Sequence, residues 1–242
     1  MSLGMFCAIP LPYHLWDDSC VNLMLPFFPL VGALIGVIWW GIVKLLLLIG
    51  IHMMLIAAVS TVIPFIITGF LHLDGYMDTN DAVLSRRPLE DKLRILKDPR
   101  AGAFAVISVA VLFILQFAAI YTVTANGKYL ALLIVMPVIS RCCSAFVLLA
   151  LKPMPQSGYA NMFRQNSGLG QKVCILIIAI LAAWAAFLFA GIRGVAVTAV
   201  VIAGYAAAMA YVYHDLKGVS GDLAGYALVI GELCGLTAIA VI

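Results

Sequence analysis

Apolar residues run along this chain in seven long stretches, near 29-50, 51-71, 102-124, 129-151, 172-191, 194-213 and 223-242, with short polar segments between them. Each is long enough for a helix that crosses a hydrocarbon core roughly 30 Å thick. The pattern predicts an all-α fold: a polytopic integral membrane bundle of about seven transmembrane helices, forming one membrane-embedded domain over 1-242. Between the second and third spans, residues 88-97 (PLEDKLRILK) predict a short interfacial helix. Pro88 suits its first turn, Glu90 and Asp91 suit its positive end, and Leu89, Leu93 and Leu96 form one apolar stripe expected to lie flat on the membrane. Pro99 in the following KDPRAG run ends that helix.

Composition agrees. Of the 242 residues, 65% are hydrophobic and 10% charged, more apolar surface than a soluble fold could hide. The first basic residue is Lys44, so a cleaved secretion signal is not expected and the first span is expected to be retained. Charge then orients the chain. With seven spans, the N-terminal segment and the loops 72-101, 152-171 and 214-222 share one side, and they hold Arg86, Arg87, Lys92, Arg94, Lys97, Arg100, Lys152, Arg164, Lys172 and Lys217. Lys128 and Arg193 fall on the other, with Lys44 nearby. The excess marks the first side as cytoplasmic. The six cysteines form no C-x-x-C pair and are read as small apolar filler.

Candidate chemistry concentrates in HLDGYMDTND, residues 72-81. On a helix, Asp74, Asp78 and Asp81 fall within roughly a 60° arc of one face, close enough to share a hard cation, for which magnesium is the expected ion. His72 is a candidate base, phosphate donor or supporting partner, or else an interfacial histidine. His14, His52 and His214 show no zinc-like spacing. Arg86, Arg87, Lys97 and Arg100 are candidates to meet phosphate oxygens, or serve only as inside-positive anchors. Asp222 either caps the last span or completes the aspartate cluster across the same surface. In the loop 152-171, the SGLG run can bring backbone N–H groups to a phosphate, although a plain turn is the simpler reading. Deeper down, Arg141 lies ten residues before the end of the fourth span and Glu232 about ten beyond the start of the seventh, so both sit roughly 15 Å deep. Equal depth makes them an expected intramembrane structural pair, the alternative being separate partners for each.

Several motifs, in order, resemble the cobalamin (5'-phosphate) synthase family, also called adenosylcobinamide-GDP ribazoletransferase. They are FPLVGALIG at 28-36, LHLDGYMDTNDA at 71-82, LKDPRAGAF at 96-104, Arg141, YA at 159-160 with GLG at 168-170, and GVSGDLAG at 218-225 with Glu232 beyond. The chain departs from the family pattern at Ala82, Pro99 and Ser220, and those changes keep the carboxylates.

The resemblance implies a magnesium-dependent transferase of a prokaryotic cytoplasmic (inner) membrane. It would join adenosylcobinamide-GDP to alpha-ribazole or its 5'-phosphate and release GMP, with its active site facing the cytoplasm. Asp74, Asp78, Asp81 and Asp222 would hold Mg2+, a carboxylate or His72 would take the nucleophile's proton, and Arg100, with Arg86, Arg87 and Lys97, would steady phosphates. The lipid bilayer is the expected surrounding, no nucleic acid partner is expected, and oligomeric state, a homo-oligomer included, stays open. Rival readings are a CDP-alcohol phosphotransferase, a pyrophosphate-dependent membrane transferase, and a cation transporter using Arg141 and Glu232. A transporter would place its acids near the midplane, whereas all but Glu232 fall at one surface.

Overall fold

A computed structural model describes residues 1–10, 17, 20–155, 157–165 and 168–242. His14, and Ser167 of the SGLG run, lie outside the described residues. The described residues form eleven α-helices and no β-strand, only an isolated bridge between Pro153 and Val219. The helices are α1 (Ser2–Phe6), α2 (Val21–Leu48), α3 (Met53–Ile67), α4 (Leu71–Leu84), α5 (Leu89–Ile95), α6 (Ala103–Asn126), α7 (Leu132–Ala150), α8 (Gly158–Gln165), α9 (Leu169–Ala190), α10 (Ile192–Leu216) and α11 (Gly221–Val241).

Six of these, α2, α6, α7, α9, α10 and α11, are long and apolar enough to cross a bilayer, and α3 with α4 makes a seventh if the two are one broken span. The expected second span, 51-71, contains α3 and ends in a sharp bend. Gly69 and Phe70 take positive φ of 59° and 62°, and α4 leaves the axis of α3 at 92°. The aspartates are thus on a helix of their own, folded off the crossing segment.

Close packing centres on α7, the most thoroughly buried of the long helices. Gly32 and Gly36, one turn apart on α2, lie against the Pro137 and Ile134 carbonyls of α7, where any Cβ would collide. Small residues at that spacing let two helix backbones meet, the usual source of association where lipid removes the hydrophobic drive. In the cleft sits Arg141. Its Nη1 donates to Glu232 Oε1 of α11, Ser140 Oγ donates to the same oxygen at 2.7 Å, and the Pro137 carbonyl accepts from the guanidinium at 3.2 Å. The Phe28 ring covers the guanidinium at 5.9 Å.

One end of the bundle gathers the polar segments. Met154 N–H donates to the Val219 carbonyl and Val219 N–H to the Lys152 carbonyl, joining the α7–α8 loop to the α10–α11 loop. Lys92 of α5 donates to both carboxylate oxygens of Asp215, at 2.7 and 2.6 Å. The opposite end carries Arg193 on Tyr129. The expected segregation of loops is present, and the expected short helix is α5. Leu93 and Leu96 pack partly onto the protein core and Lys92 is buried, while Leu89 is exposed. The carboxylate of Asp215 supplies the reason: it draws the lysine face inward, and Leu93 and Leu96 beside it follow.

A buried ion pair is costly to break because the remaining charge has no solvent. Arg141→Met and Glu232→Leu are each expected to cost about 3–5 kcal/mol of stability in detergent, and the double variant to recover part of that loss. Thermal or denaturant unfolding of all three variants checks this, and strictly additive losses would contradict it.

Candidate active site

The carboxylate end of α4 is positioned from two sides. Tyr76 stacks on Tyr226 of α11 with ring centroids 5.6 Å apart, and its hydroxyl donates to the Ser108 carbonyl of α6 at 3.3 Å. Asn80 Nδ2 holds the Tyr76 carbonyl at 2.8 Å. Gly75 makes the approach to α11 possible, since a Cβ there would stand 2.7 Å from the Cα of Asp222. The missing methyl brings the first turn of α11 against the aspartate face. The N-cap of α11 is Ser220, whose Oγ accepts from Leu223 N–H at 3.3 Å. Asp222 is therefore not the cap; its Oδ2 accepts from Ser220 Oγ at 3.4 Å, and its carboxylate lies within electrostatic reach of Asp74 and Asp78 on α4.

Asp74, Asp78, Asp81 and Asp222 form one electrostatic group. The Asp78 carboxyl, on the segment folded off the α3 crossing, is pushed up to about 6, first by burial and then by the carboxylates of Asp74, Asp222 and Asp81. Among the described residues, none of the four is in a salt bridge with a lysine or arginine. Asp81 is partly committed. Its Oδ1 accepts from Ala105 N–H at 3.3 Å, and Gly102 leaves room for the carboxylate at the start of α6.

Among the described residues no three acidic, histidine or cysteine side chains stand close enough to enclose an ion by themselves. That suits magnesium, which keeps several waters and is usually held by one or two carboxylates plus substrate phosphate oxygens. The donors are hard oxygens, and burial together with their mutual repulsion raises Asp78, so the chemistry of the set fits a small divalent cation.

The other expected residues are spread more widely. His72 is buried one turn before the cluster's centre, 5.8 Å from the Phe28 ring, and its Nε2 has no partner. Arg100 is exposed and held by Asp98 in a two-pronged pair, at 2.9 and 2.8 Å, which draws Asp98 down to about 2. Arg86 and Arg87 are exposed on the turn after α4. Lys97 is the cation that shares a recess with the cluster: a hollow of about 90 Å³ lined by Lys97, Ser157, Ser220 and Asp222 among others. Gly168 simply begins α9, its N–H donating to Gln171 Oε1 at 2.6 Å. None of the six cysteines is in a disulfide. Arg141 and Glu232 meet beneath the cluster. Sequence patterns did not single out the Tyr76–Tyr226 stack, because nothing in one chain says which aromatic residues of two helices will face each other.

A family model described as Cobalamin-5-phosphate synthase matches residues 1–240. The chain belongs to that family. Membership makes it an enzyme, a transferase of cobalamin synthesis. Among its relatives, the adenosylcobinamide-GDP ribazoletransferase of Clostridium perfringens (strain SM101 / Type A) is 38% identical, covering 100% of this chain and 96% of its own length. That of Clostridium botulinum (strain Alaska E43 / Type E3) is also 38% identical, covering 98% and 94%. The enzyme of that name from Geobacillus kaustophilus (strain HTA426) is 29% identical over 96% of this chain and 90% of its own. No solved structure matches the chain.

The raised Asp78 carboxyl has a sign that can be measured. A carboxyl whose folded pKa exceeds its unfolded value favours the folded state when protonated, so stability without metal is full below about pH 4 and is lost as pH rises through about 6. The melting temperature of the metal-free cobalamin-5-phosphate synthase family member should fall across that interval. Added Mg2+ should restore it at pH 7.5 and have little effect at pH 4, and Asp78→Asn should flatten the profile.

Proposed function

We propose that this chain joins adenosylcobinamide-GDP to alpha-ribazole, or to its 5'-phosphate, and releases GMP, with Mg2+ as cofactor. The observation that carries the reading is the meeting of carboxylates from α4 and α11 at one polar end of a membrane bundle whose whole length matches the family. The relatives' printed names supply the substrates. The bond formed is between the ribazole 3'-oxygen and the phosphorus on the cobinamide side of the pyrophosphate, and the bond broken is the one from that phosphorus to the GMP oxygen. Both partners are anionic, so the enzyme's work is positioning and charge neutralisation.

Asp74, Asp78 and Asp222 would hold the cation, with Asp81 joining from the start of α6. When bound, magnesium neutralises charge on the pyrophosphate and the departing GMP. A carboxylate of this group takes the hydroxyl proton, because Asp74 and Asp222 reach solvent whereas His72 is enclosed. Lys97, in the recess it shares with Asp222, is the first choice for a phosphate oxygen. Arg100 is already satisfied by Asp98 and ranks behind it, with Arg86 and Arg87 as exposed surface charges that would attract phosphate on arrival. The excess of Lys and Arg at this end favours a cytoplasmic orientation in a bacterial inner membrane, where the nucleotide substrates are made.

Purified protein in lipid, given Mg2+, adenosylcobinamide-GDP and alpha-ribazole 5'-phosphate, should yield cobalamin phosphate and GMP in equal amounts. Folded protein that forms neither would contradict the proposal. Asp74→Asn, Asp78→Asn and Asp222→Asn should each lower kcat/KM by on the order of 10²-fold or more, with membrane insertion intact. Lys97→Gln should act mainly on KM.

A further inference from the structure

Beside the cluster lies a second, larger hollow that the proposed phosphoryl chemistry does not use. It measures about 350 Å³ and is lined by residues of α2, α4, α7, α8 and α11, with Asp222 at its edge. Asp222 also lines the Lys97 recess, so the two hollows meet at the carboxylate group. The walls are mostly carbon: Phe28, Leu148 and Phe163 are buried, and Tyr159 adds a half-exposed ring. Two polar side chains line the interior besides Asp222. Ser144 Oγ is turned toward the Ala224 carbonyl at 3.4 Å. His72 is more than nine-tenths buried, and its Nε2 has no partner at all. A buried imidazole nitrogen without a partner costs free energy, and in a cavity wall it marks the place where a ligand atom completes the bond.

Resting on the activity proposed above, we infer that this hollow receives the flat heteroaromatic base of the acceptor nucleoside, with His72 facing its free ring nitrogen. Three features select that moiety among the parts of the two substrates. The corrin macrocycle, fringed with amides, is far too large for the volume. Guanine is polar along a whole edge, whereas the buried part of the walls is carbon apart from Ser144 and His72, with Asp222 and the exposed Tyr159 as the other polar side chains of the lining. A dimethylbenzimidazole is bicyclic and apolar, and with one nitrogen in the glycosidic bond it keeps one acceptor nitrogen. The aromatic walls match its faces and methyl groups, and a neutral His72 with its proton on Nε2 matches that nitrogen. The base sits in the hollow, and the attached ribose is then carried toward Asp222 and the metal-binding carboxylates. His72 acts as a specificity-determining residue and not as the proton acceptor.

The test uses the full chain in lipid nanodiscs with Mg2+ and three substrates: adenosylcobinamide-GDP, alpha-ribazole, and a ribazole analogue in which the free ring nitrogen is replaced by C–H. Leu148→Trp narrows the hollow, and should raise KM for alpha-ribazole about tenfold or more while KM for adenosylcobinamide-GDP stays within about twofold. His72→Phe should remove the unmodified enzyme's preference for alpha-ribazole over the C–H analogue without unfolding the protein, as thermal melting will report. A rise in KM confined to adenosylcobinamide-GDP would assign the hollow to the other substrate and overturn the inference. Unchanged KM values in a folded Leu148→Trp protein would overturn it as well. Calorimetric binding of alpha-ribazole to unmodified and Leu148→Trp protein, which needs no turnover, separates the two proposals: binding that Leu148→Trp weakens upholds the hollow even if the reaction fails. Equal binding by both refutes the hollow even if the reaction proceeds.

Discussion

An arginine and a glutamate deep inside a membrane bundle must find each other, and the Arg141–Glu232 pair fixes most of what lies above it. Neither charge tolerates the apolar interior alone, and their geometry is satisfied only when α7 and α11 stand in one relative register. Ser140 and the Pro137 carbonyl add to the polar shell, and Phe28 covers it from α2. Gly32 lets α2 come near enough to do so. With α11 held in register, its first turn arrives at the height of α4, and Asp222 meets Gly75 there.

A second constraint works against the first. Four carboxylates are gathered at one end of the bundle with no salt bridge among the described residues, and burial, then their mutual repulsion, raises Asp78 to about 6. The fold holds them together by other means: the Tyr76–Tyr226 stack, the Asp81 contact with the start of α6, and the Lys92–Asp215 tie that seats α5 over the end of the bundle. Packing energy collected elsewhere keeps the acids together. In the proposed function, a cation and the anionic substrate would relieve that electrostatic stress together.

Much of this was legible in the chain. Six of the seven crossings follow from runs of apolar residues, because a bilayer demands the same length and composition of every span. The α4 aspartates share a helix face as their spacing of four and three requires. Arg141 and Glu232 could be paired by depth alone, since rise per residue is constant on a helix. The bend after the second span and the protein contacts of α5 were not legible. No hydropathy pattern encodes a 92° turn at Gly69–Phe70, and the leucine stripe of α5 has the same period whether it faces lipid or protein. Its partner, Asp215, is more than a hundred residues away.

The sequence by itself determined the medium, the helical class, the polarity of the two ends and the residue types able to hold a hard cation. Those properties are sums over local composition and periodic spacing. Tertiary structure alone decided that Ser220 rather than Asp222 caps α11, that Asp81 is shared with α6, that Lys97 lines a recess with Asp222, and that a hollow opens against His72. Each of these depends on which helix faces meet and on where a missing Cβ allows them to meet. Contacts between residues distant in the chain, fixed here by Gly32, Gly75 and the buried ion pair, carry no signature in the spacing of either partner.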